Sequence, residues 1–284
     1  MQQGQAVSVI ITTKNEEDII GRLIKSVKKQ TFKKIEIILV DNNSDDKTVE
    51  ISKKIGVKVV NYGPERSAQR NYGAKIAQGD YLLFLDADME LSKDVVKECV
   101  RTLETDERNS SSDKKIGALT ILEKSIARTF WEKAKAFERS FYNEEGDEIT
   151  DAARFFPKVI FDKASGYDES ITGPEDWDLT DRIKKMGYKI GVVSKIIYHY
   201  ERISSVNNLL KKKFYYGLKS YRYFSKHKQS LISSKTIYFL RPVFYKRIDR
   251  ILKHPILSLG MIAMMLLEIM AGGSGYLYGR IKKL

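Results

Sequence analysis

The N-terminal part of the chain alternates between two hydrophobic periods. Short runs that are almost entirely apolar are typical of parallel strands covered on both faces, and they occur at residues 7–12, 35–40, 57–60 and 81–85. Apolar residues at helical spacing predict helices over residues 19–27, 48–54, 67–77 and around Cys99. This β-α-β-α order predicts an α/β fold, in which a mostly parallel sheet carries helices on both faces.

The pattern is less regular further along the chain. Residues 106–115 are polar and rich in serine, which predicts an exposed loop, and residues 116–122 resemble a strand. Residues 126–143 predict a long helix, whose aromatic side chains we expect in the core. Two further short strands are predicted at residues 190–193 and 196–200.

Composition changes the picture at the C-terminus. The 284 residues include 50 Lys and Arg against 37 Asp and Glu, a net charge of +13. Residues 1–201 have a net charge of −2, whereas residues 202–284 have a net charge of +15 with only Asp249 and Glu268 as acids. This asymmetry indicates an acidic polymer or an anionic membrane as the partner of the tail. The single cysteine, Cys99, excludes an intrachain disulfide and a cysteine-rich zinc site, and we expect it to be buried.

A long apolar run favours the membrane over nucleic acid. Residues 255–278 contain one charge, Glu268, and as a helix would be about 36 Å long, enough for a hydrocarbon core of about 30 Å. We therefore expect a transmembrane helix, with a buried core helix as the alternative. The basic, aromatic-rich segment before it then predicts amphipathic interfacial helices. The polar start of the chain predicts no signal peptide, which places the soluble part in the cytoplasm.

Candidate chemistry lies where the predicted strands end. Asp86 and Asp88 directly follow the fourth strand, at the sheet edge where open α/β sheets bind ligands. Two such acids can share a divalent cation that bridges a diphosphate, although a surface turn is the common alternative. Asp41 ends the second strand and is placed to accept from a base or ribose, in a loop that also suits a helix N-cap. Arg66 and Arg70 lie four residues apart, on one helix face.

Together these segments resemble the family 2 glycosyltransferases of the GT-A fold. The similarity begins with the strand from Ser8, the acid Asp41, the R-x-x-x-R-N-x-G run from Arg66 to Gly73, and the D-x-D at Asp86. It continues through Arg154-Phe155-Phe156, Gly166-Tyr167-Asp168-Glu169 and Gly173-Pro174-Glu175-Asp176-Trp177, and covers roughly residues 7–200. One departure is Thr12, where many relatives have proline.

The resemblance implies a role for each matching residue. Asp176 would be the general base, although a charge pair at a helix N-terminus is the structural alternative. Asp88 would bind Mg²⁺ or Mn²⁺, with His199 as a further candidate ligand that could equally be structural. The nucleotide-sugar site would comprise Thr12, Glu16, Asp41, Asn43, Arg66, Arg70, Asn71 and Asp86.

The expected protein is a membrane-anchored, metal-dependent inverting glycosyltransferase of the hexosyltransferase type, similar to prokaryotic and archaeal glycan-assembly enzymes. It would move a sugar from a nucleoside diphosphate sugar to a hydroxyl of a lipid-linked glycan. The alternatives are a polyprenyl-phosphate sugar synthase and a binding protein without catalysis. We expect a GT-A (Rossmann-like) catalytic domain at residues 1–201 on the cytoplasmic side of the cell membrane. Basic interfacial helices would follow at 202–253 and a transmembrane anchor at 254–284, with membrane lipids but no nucleic acid as partners.

Overall fold

The computed structural model describes residues 5–109, 114–144, 152–227, 233 and 236–283. The chain divides into two compact units. The first unit comprises Met1–Glu123, Ala152–Glu169 and Asp176–His199. The second comprises Lys124–Asp151, Ser170–Glu175 and Tyr200–Leu284.

The described residues form eight strands and eleven α-helices. The strands are β1 (Val7–Thr13), β2 (Ile35–Asp41), β3 (Lys58–Asn61), β4 (Tyr81–Asp86), β5 (Met89–Leu91), β6 (Ile116–Ile126), β7 (Ala153–Pro157) and β8 (Lys189–Tyr200). The helices are α1 (Ile20–Lys28), α2 (Thr48–Lys54), α3 (Arg66–Ile76), α4 (Val95–Arg108), α5 (Phe130–Arg139), α6 (Lys158–Lys163), α7 (Glu175–Lys185), α8 (Val206–His227), α9 (Pro242–Lys246), α10 (Ile248–Lys253) and α11 (Pro255–Lys282).

The strands form one sheet in the order β3-β2-β1-β4-β7-β6-β8-β5. The first four are parallel to one another, as predicted. The other half contains antiparallel pairings of β7 with β4, of β6 with β7 and of β5 with β8. The sequence pattern did not predict β5 and β7, because three residues are too few to show a period and Arg154 interrupts the apolar run of β7.

Side chains alternate between two hydrophobic cores on the two faces of the sheet, as expected from the period of two along a strand. On one face, Ile11 and Leu85 pack with Leu23 of α1 and Cys99 of α4. On the other face, the core residues come from β1, β2 and β4 and from α3, α6 and α7; they are Ile10, Ile38, Val40, Leu82, Phe84, Ala74, Phe161, Leu179 and Ile183. Helices on both faces and a buried Cys99 were both predicted, and both are confirmed.

Several predicted segments have different boundaries in the structure. The two strands predicted at residues 190–193 and 196–200 are one continuous strand, β8. The helix expected over residues 126–143 begins only at Phe130, because β6 continues to Ile126. A capping box, in which the side chains of Thr129 and Glu132 satisfy each other's backbone amides, starts the helix there. The loop expected over residues 106–115 is also shorter at its start, since α4 continues to Arg108, and residues 110–113 lie outside the described part.

The second unit is built from helices. Phe137 of α5 and Phe141 just after it pack with Phe244 of α9 and with Met261 and Met265 of α11, so the core position expected for these two aromatic residues is confirmed. The same expectation is wrong for Phe130, which is 43% exposed. Within the described residues, α11 is long and apolar enough to cross a membrane. Length and composition alone do not show that α11 spans a membrane, because core helices of soluble proteins can be equally long and apolar.

Candidate active site

The register of the parallel strands brings the polar strand ends together. Thr12 of β1 lies opposite Asp86 of β4, and Thr13 lies opposite Asp41 of β2. All four are at the carboxyl ends of their strands, where ligands bind in open α/β sheets. The first unit therefore has a polar edge composed of the residue types that the sequence singled out.

Asp41 organises the loop after β2. Its carboxylate accepts hydrogen bonds from the Thr13 hydroxyl at 3.1 Å and from the Ser44 amide at 2.8 Å. The neighbouring Asn43 is exposed and has a φ of +51°, a left-handed conformation that asparagine tolerates better than most residues. Glu16 is held beside the start of α2, because its backbone amide donates to the Thr48 hydroxyl at 2.7 Å. Asp41, Asn43 and Glu16 thus lie on adjoining loops of the same edge.

Helix α3 lies close to the sheet at this edge. A Cβ added to Gly73 would lie 2.5 Å from the Ile10 side chain, so only glycine allows this approach. The Gln69 side chain donates to the backbone carbonyls of Thr13 at 3.1 Å and Val40 at 2.7 Å, which joins α3 to β1 and β2. The next residue, Arg70, is 1% exposed. The packing of α3 therefore aims the Arg70 guanidinium at the strand ends.

Arg70 bridges two carboxylates that are far apart in the sequence. Its Nη2 lies 3.1 Å from Oδ1 of Asp86, and its Nη1 lies 3.0 Å from Oδ1 of Asp176 at the start of α7. Arg66, one turn earlier, is 3.9 Å from Asp86. The structure thus brings together the D-x-D, both arginines of the R-x-x-x-R-N-x-G run and the proposed base.

Positive charge dominates the environment of Asp86. Burial disfavours its charged form, but the guanidinium groups of Arg70, Arg66 and Arg154 together hold the pKa of Asp86 well below its usual range. Burial likewise disfavours the charge on Arg70, yet Asp176 and Asp86 raise its pKa. Asp86 and Arg70 are therefore both ionised at neutral pH.

A second chain of contacts links Asp88 to the same cluster. Met89 of β5 lies opposite His199 of β8, which brings Nε2 of His199 to 3.4 Å from Oδ2 of Asp88. Nδ1 of His199 is 3.0 Å from Glu123, and the same carboxylate accepts from Nε of Arg154 at 2.6 Å. Arg154 also lies 3.5 Å from Asp86. His199 is therefore oriented by Glu123, with its other nitrogen facing Asp88.

The side chain of Asn71, a predicted donor-site residue, makes structural hydrogen bonds instead. Its amide donates to the Tyr167 carbonyl and to Glu169, and its Oδ1 accepts from the Tyr167 amide, each at 2.8 to 2.9 Å. These bonds hold the turn at Gly166, where φ is +62° and an added Cβ would meet Asn71. Asn71 therefore connects the R-x-x-x-R-N-x-G run to the Gly166-Tyr167-Asp168-Glu169 segment.

Sequence reasoning assigned no role to four residues of this site: Gln69, Glu123, Arg154 and Tyr62. Arg154 was named as part of a segment of the resemblance, and that segment could have pointed to the site. Glu123 lies within β6, and no local pattern distinguishes it from the rest of the strand. Tyr62 follows β3, and its ring stacks on Tyr72 with 4.3 Å between centroids and 8° between planes. The described residues contain no group of three or more acidic, histidine or cysteine side chains arranged to hold a metal by themselves.

The N-terminal half of the chain matches a known family in sequence. The profile described as "Glycosyl transferase family 2" matches residues 8–156. The 4,4'-diaponeurosporenoate glycosyltransferase of Staphylococcus haemolyticus is 35% identical over 104 residues, 34% of this chain and 28% of that protein. The UDP-Glc:alpha-D-GlcNAc-diphosphoundecaprenol beta-1,3-glucosyltransferase WfaP of Escherichia coli is 39% identical over 89 residues, 30% of this chain and 36% of that protein. The chain thus matches only about a third of the length of these curated relatives.

Solved structures share the fold over most of the chain. The mannosyltransferase PcManGT from Pyrobaculum calidifontis, in complex with GDP-Man and Mn²⁺, superposes with a TM-score of 0.62 at 14% identity. That match covers 98% of this chain and 88% of the other. S. aureus TarS 1–349, in complex with UDP-GlcNAc, has a TM-score of 0.54 at 17% identity and covers 98% and 92%. At these identities the likeness shows the fold alone, which is the GT-A fold that the sequence predicted.

Proposed function

The chain belongs to glycosyl transferase family 2, and on this premise we propose that it is an inverting glycosyltransferase that moves a sugar from a nucleoside diphosphate sugar to a hydroxyl group. The observation that carries the proposal is the bridge made by Arg70. It holds Asp176, a carboxylate suited to take a proton, beside Asp86 at the strand edge suited to a nucleotide. The Arg70 guanidinium thus holds a base for the acceptor close to an acid at the nucleotide site. A direct displacement of the nucleoside diphosphate by the acceptor requires both groups in one site.

Asp176 is the proposed general base. An acceptor hydroxyl that attacks the anomeric carbon must lose its proton, and a positioned carboxylate can take it. The bond to Arg70 through Oδ1 fixes the orientation of that carboxylate. Attack from the face opposite the departing diphosphate then inverts the anomeric centre.

Three arginines are placed to receive the leaving diphosphate. Arg66, Arg70 and Arg154 all lie within 4 Å of the Asp86 carboxylate, at distances of 3.9, 3.1 and 3.5 Å. Fixed positive charge in a partly buried site stabilises negative charge that develops as the sugar bond breaks. We propose that this arginine cluster binds the diphosphate and stabilises its departure.

Asp88 and His199 fit a divalent cation, which we propose to be Mg²⁺ or Mn²⁺. Their facing atoms are 3.4 Å apart, close to the separation of two neighbouring ligands around such an ion. Glu123 on Nδ1 of His199 is the type of outer partner that fixes a metal-binding imidazole. Because the described part of the chain places only these two facing ligands here, the diphosphate would supply others. When bound, the cation would offset the charge of the departing diphosphate.

The nucleoside would occupy the edge between β1, β2 and β3. Glu16, Asp41 and Asn43 are the proposed polar contacts, and Thr12 lies beside them on β1. The exposed ring of Tyr62, backed by Tyr72, offers a flat aromatic surface to the base. We propose that Asn71 acts indirectly, by holding the turn at Gly166.

The proposed acceptor is a glycan on a lipid carrier at the cytoplasmic face of the cell membrane. The name of WfaP describes action on a diphosphoundecaprenol-linked sugar. This chain also has a basic C-terminal segment and an apolar helix, which suit a membrane surface. Residues 1–201 would hold the catalytic parts, residues 202–253 the interfacial helices and residues 254–284 the apolar anchor. A phosphate acceptor, as in a polyprenyl-phosphate sugar synthase, is the second candidate, because the arginine cluster suits a second anion.

Substitution of Asp176 by asparagine separates these two reactions. Asparagine keeps the size of the side chain but cannot take a proton. With a hydroxyl acceptor, turnover should fall about 10²- to 10⁴-fold while donor affinity is retained. A phosphate is already ionised at neutral pH, so the same change should then have a much smaller effect. Asp162→Asn, on the exposed surface of α6, is the matched control and should leave turnover unchanged.

The assay begins with a screen of nucleotide sugars for binding and slow hydrolysis in the presence of Mg²⁺ or Mn²⁺. Turnover of the Asp176→Asn variant is then measured with the donor that the screen identifies. Near-normal turnover with intact donor affinity would refute the base assignment and favour the phosphate acceptor. Absence of donor binding in the screen would instead contradict the proposal that the chain is a transferase.

A further inference from the structure

Helix α11 has two faces with different surroundings. Along one face, Ser258, Met261, Met265, Glu268 and Gly279 are buried. On the opposite face, exposed apolar side chains follow one another at intervals of three, four or seven residues, so they line one side of the helix as a stripe. We call this the apolar stripe; it comprises Ile256, Leu259, Ile262, Leu266, Met270, Leu277 and Ile281. It extends over about 37 Å at 1.5 Å per residue.

The buried face of α11 packs against helices of the second unit along most of its length. Near the N-terminal end, a Cβ on Gly260 would lie 2.8 Å from the ring of Phe130 in α5. Near the C-terminal end, a Cβ on Gly275 or Gly279 would overlap the backbone of α8 at Phe214 and Leu218. Small residues at these positions allow the backbones to touch. Helices α5 and α8 therefore accompany α11 wherever it lies.

The middle of α11 is held by charge. The Glu268 side chain is 1% exposed, and its Oε2 lies 3.0 Å from Nζ of Lys135 in α5 and 3.1 Å from Nζ of Lys213 in α8. Lys135 also contacts Glu138 at 2.6 Å. Removal of a partner from such a buried cluster is costly, because it leaves a charge without its counterpart. The single acid of the apolar run is thus explained by its contacts with the two neighbouring helices.

These contacts are incompatible with an isolated span. Helix α8 carries three consecutive lysines, Lys211, Lys212 and Lys213, at the level of the middle of α11, since Lys213 contacts Glu268 and its backbone lies beside Gly272. If α11 crossed the bilayer, α8 would lie beside it in the hydrocarbon. A Lys or Arg side chain at the centre of a bilayer is strongly unfavourable, because its charge loses its hydration. A position in which α8 stays in water and only the stripe meets lipid avoids that cost.

From these observations we propose that α11 does not cross the membrane but lies in its plane. The apolar stripe would then be inserted at the boundary between the headgroups and the acyl chains of an anionic bilayer. This inference deepens the proposed membrane location and concerns how the chain binds lipid. Exposed bases at both ends of the stripe, Lys253, Arg280 and Lys282, match anionic headgroups and would repel a second copy of the same face. In-plane helices of this kind insert their apolar face about 5–10 Å.

Labelling of the two ends of α11 tests the orientation. Lys253→Cys and Lys283→Cys variants of the full chain are added to preformed vesicles of equal parts phosphatidylglycerol and phosphatidylcholine. A membrane-impermeant maleimide is then added outside. Both cysteines should be labelled to the same extent as in detergent. Protection of either end until detergent is added would show a span and overturn the proposal. The unchanged chain is the blank, because Cys99 is fully buried.

An environment-sensitive fluorophore tests which face meets lipid. On a Met270→Cys variant, in the stripe, its emission should shift to the blue when the vesicles are added. On the matched Ser225→Cys variant, on the exposed surface of α8, it should not shift. A blue shift at Met270 without lipid, together with a doubled mass in solution, would instead identify a second copy as the partner and overturn the proposal.

Removal of apolar side chains tests the stripe without chemical labels. The double change Leu259→Ser and Leu266→Ser should weaken vesicle binding about 10-fold or more, because less apolar area enters the lipid. Val159→Ser is the control, since Val159 is 75% exposed on α6 and outside the stripe. Equal vesicle binding by the double variant would contradict the inference. None of these readouts needs transfer activity, so failure here leaves the proposed enzyme function standing, and the reverse also holds.

Discussion

Replacement of Arg70 by methionine should destabilise the first unit strongly. Methionine keeps most of the side-chain volume but removes two charge-assisted hydrogen bonds, to Asp86 at 3.1 Å and to Asp176 at 3.0 Å. Such bonds contribute about 1.5–3 kcal/mol each. Both carboxylates are about a fifth exposed, at 19% and 21%, so water recovers part of the loss. We therefore expect the free energy of unfolding to fall by about 2–4 kcal/mol at neutral pH, somewhat less than the loss of about 3–5 kcal/mol typical of a broken, fully buried pair.

Denaturant titration followed by tryptophan fluorescence measures this change. Trp177 is in the first unit next to Asp176, and Trp131 is in the second, so a Trp131→Phe background makes the signal specific for the first unit. Arg101→Met is the matched control. Arg101 is 68% exposed and pairs with Glu98 on the same helix, so its loss should change the free energy of unfolding by less than about 1 kcal/mol.

The pH dependence gives an independent check. Because the folded-state pKa of Asp86 is lowered below its usual value near 3.9, the stabilisation is complete above that pH and is lost as pH falls through the lower folded value. The difference between the Arg70 chain and the Arg70→Met variant should therefore be largest above pH 5 and shrink below pH 4, taking these as approximate limits. A difference below about 1 kcal/mol at neutral pH, or one that is equal at both pH values, would refute the electrostatic account of the bridge.

Three further outcomes follow from single residues. Asp88→Ala should abolish the metal dependence of donor binding, which calorimetric titration with a nucleoside diphosphate measures with and without Mn²⁺. If the affinity of the variant for the nucleoside diphosphate still depended on Mn²⁺, the ligand assignment would be wrong. Cys99 should not react with a thiol reagent until the protein is unfolded, because burial raises its pKa and excludes the reagent; rapid reaction of the native chain would show that it is accessible. Gly73→Ala should lower the free energy of unfolding by about 1–3 kcal/mol, since its Cβ would press on Ile10; a stabilised variant in thermal unfolding would count against the tight contact.

The sequence by itself determined the parallel half of the sheet. Residues buried on both faces produce continuous apolar runs, and the helices between them show the 3.6-residue period, so β1 to β4 and α1 to α4 could be located from local pattern alone. The strand-end acids Asp41, Asp86 and Asp88 were identified for the same reason, because a carboxylate directly after a buried run must lie at the sheet edge. The roles assigned to these residues remain predictions.

The tertiary structure decided the antiparallel half and the partners within the site. Arg70 meets Asp176 across 106 positions of sequence, and Glu123 meets His199 across 76. No local period encodes such a contact, because it depends on strand order and register. The same reason applies to Glu268 in α11. Its sequence context predicts a span, whereas its contacts with Lys135 and Lys213 depend on how three helices pack. Long-range pairing therefore decides both how the site is assembled and which face of α11 is left exposed.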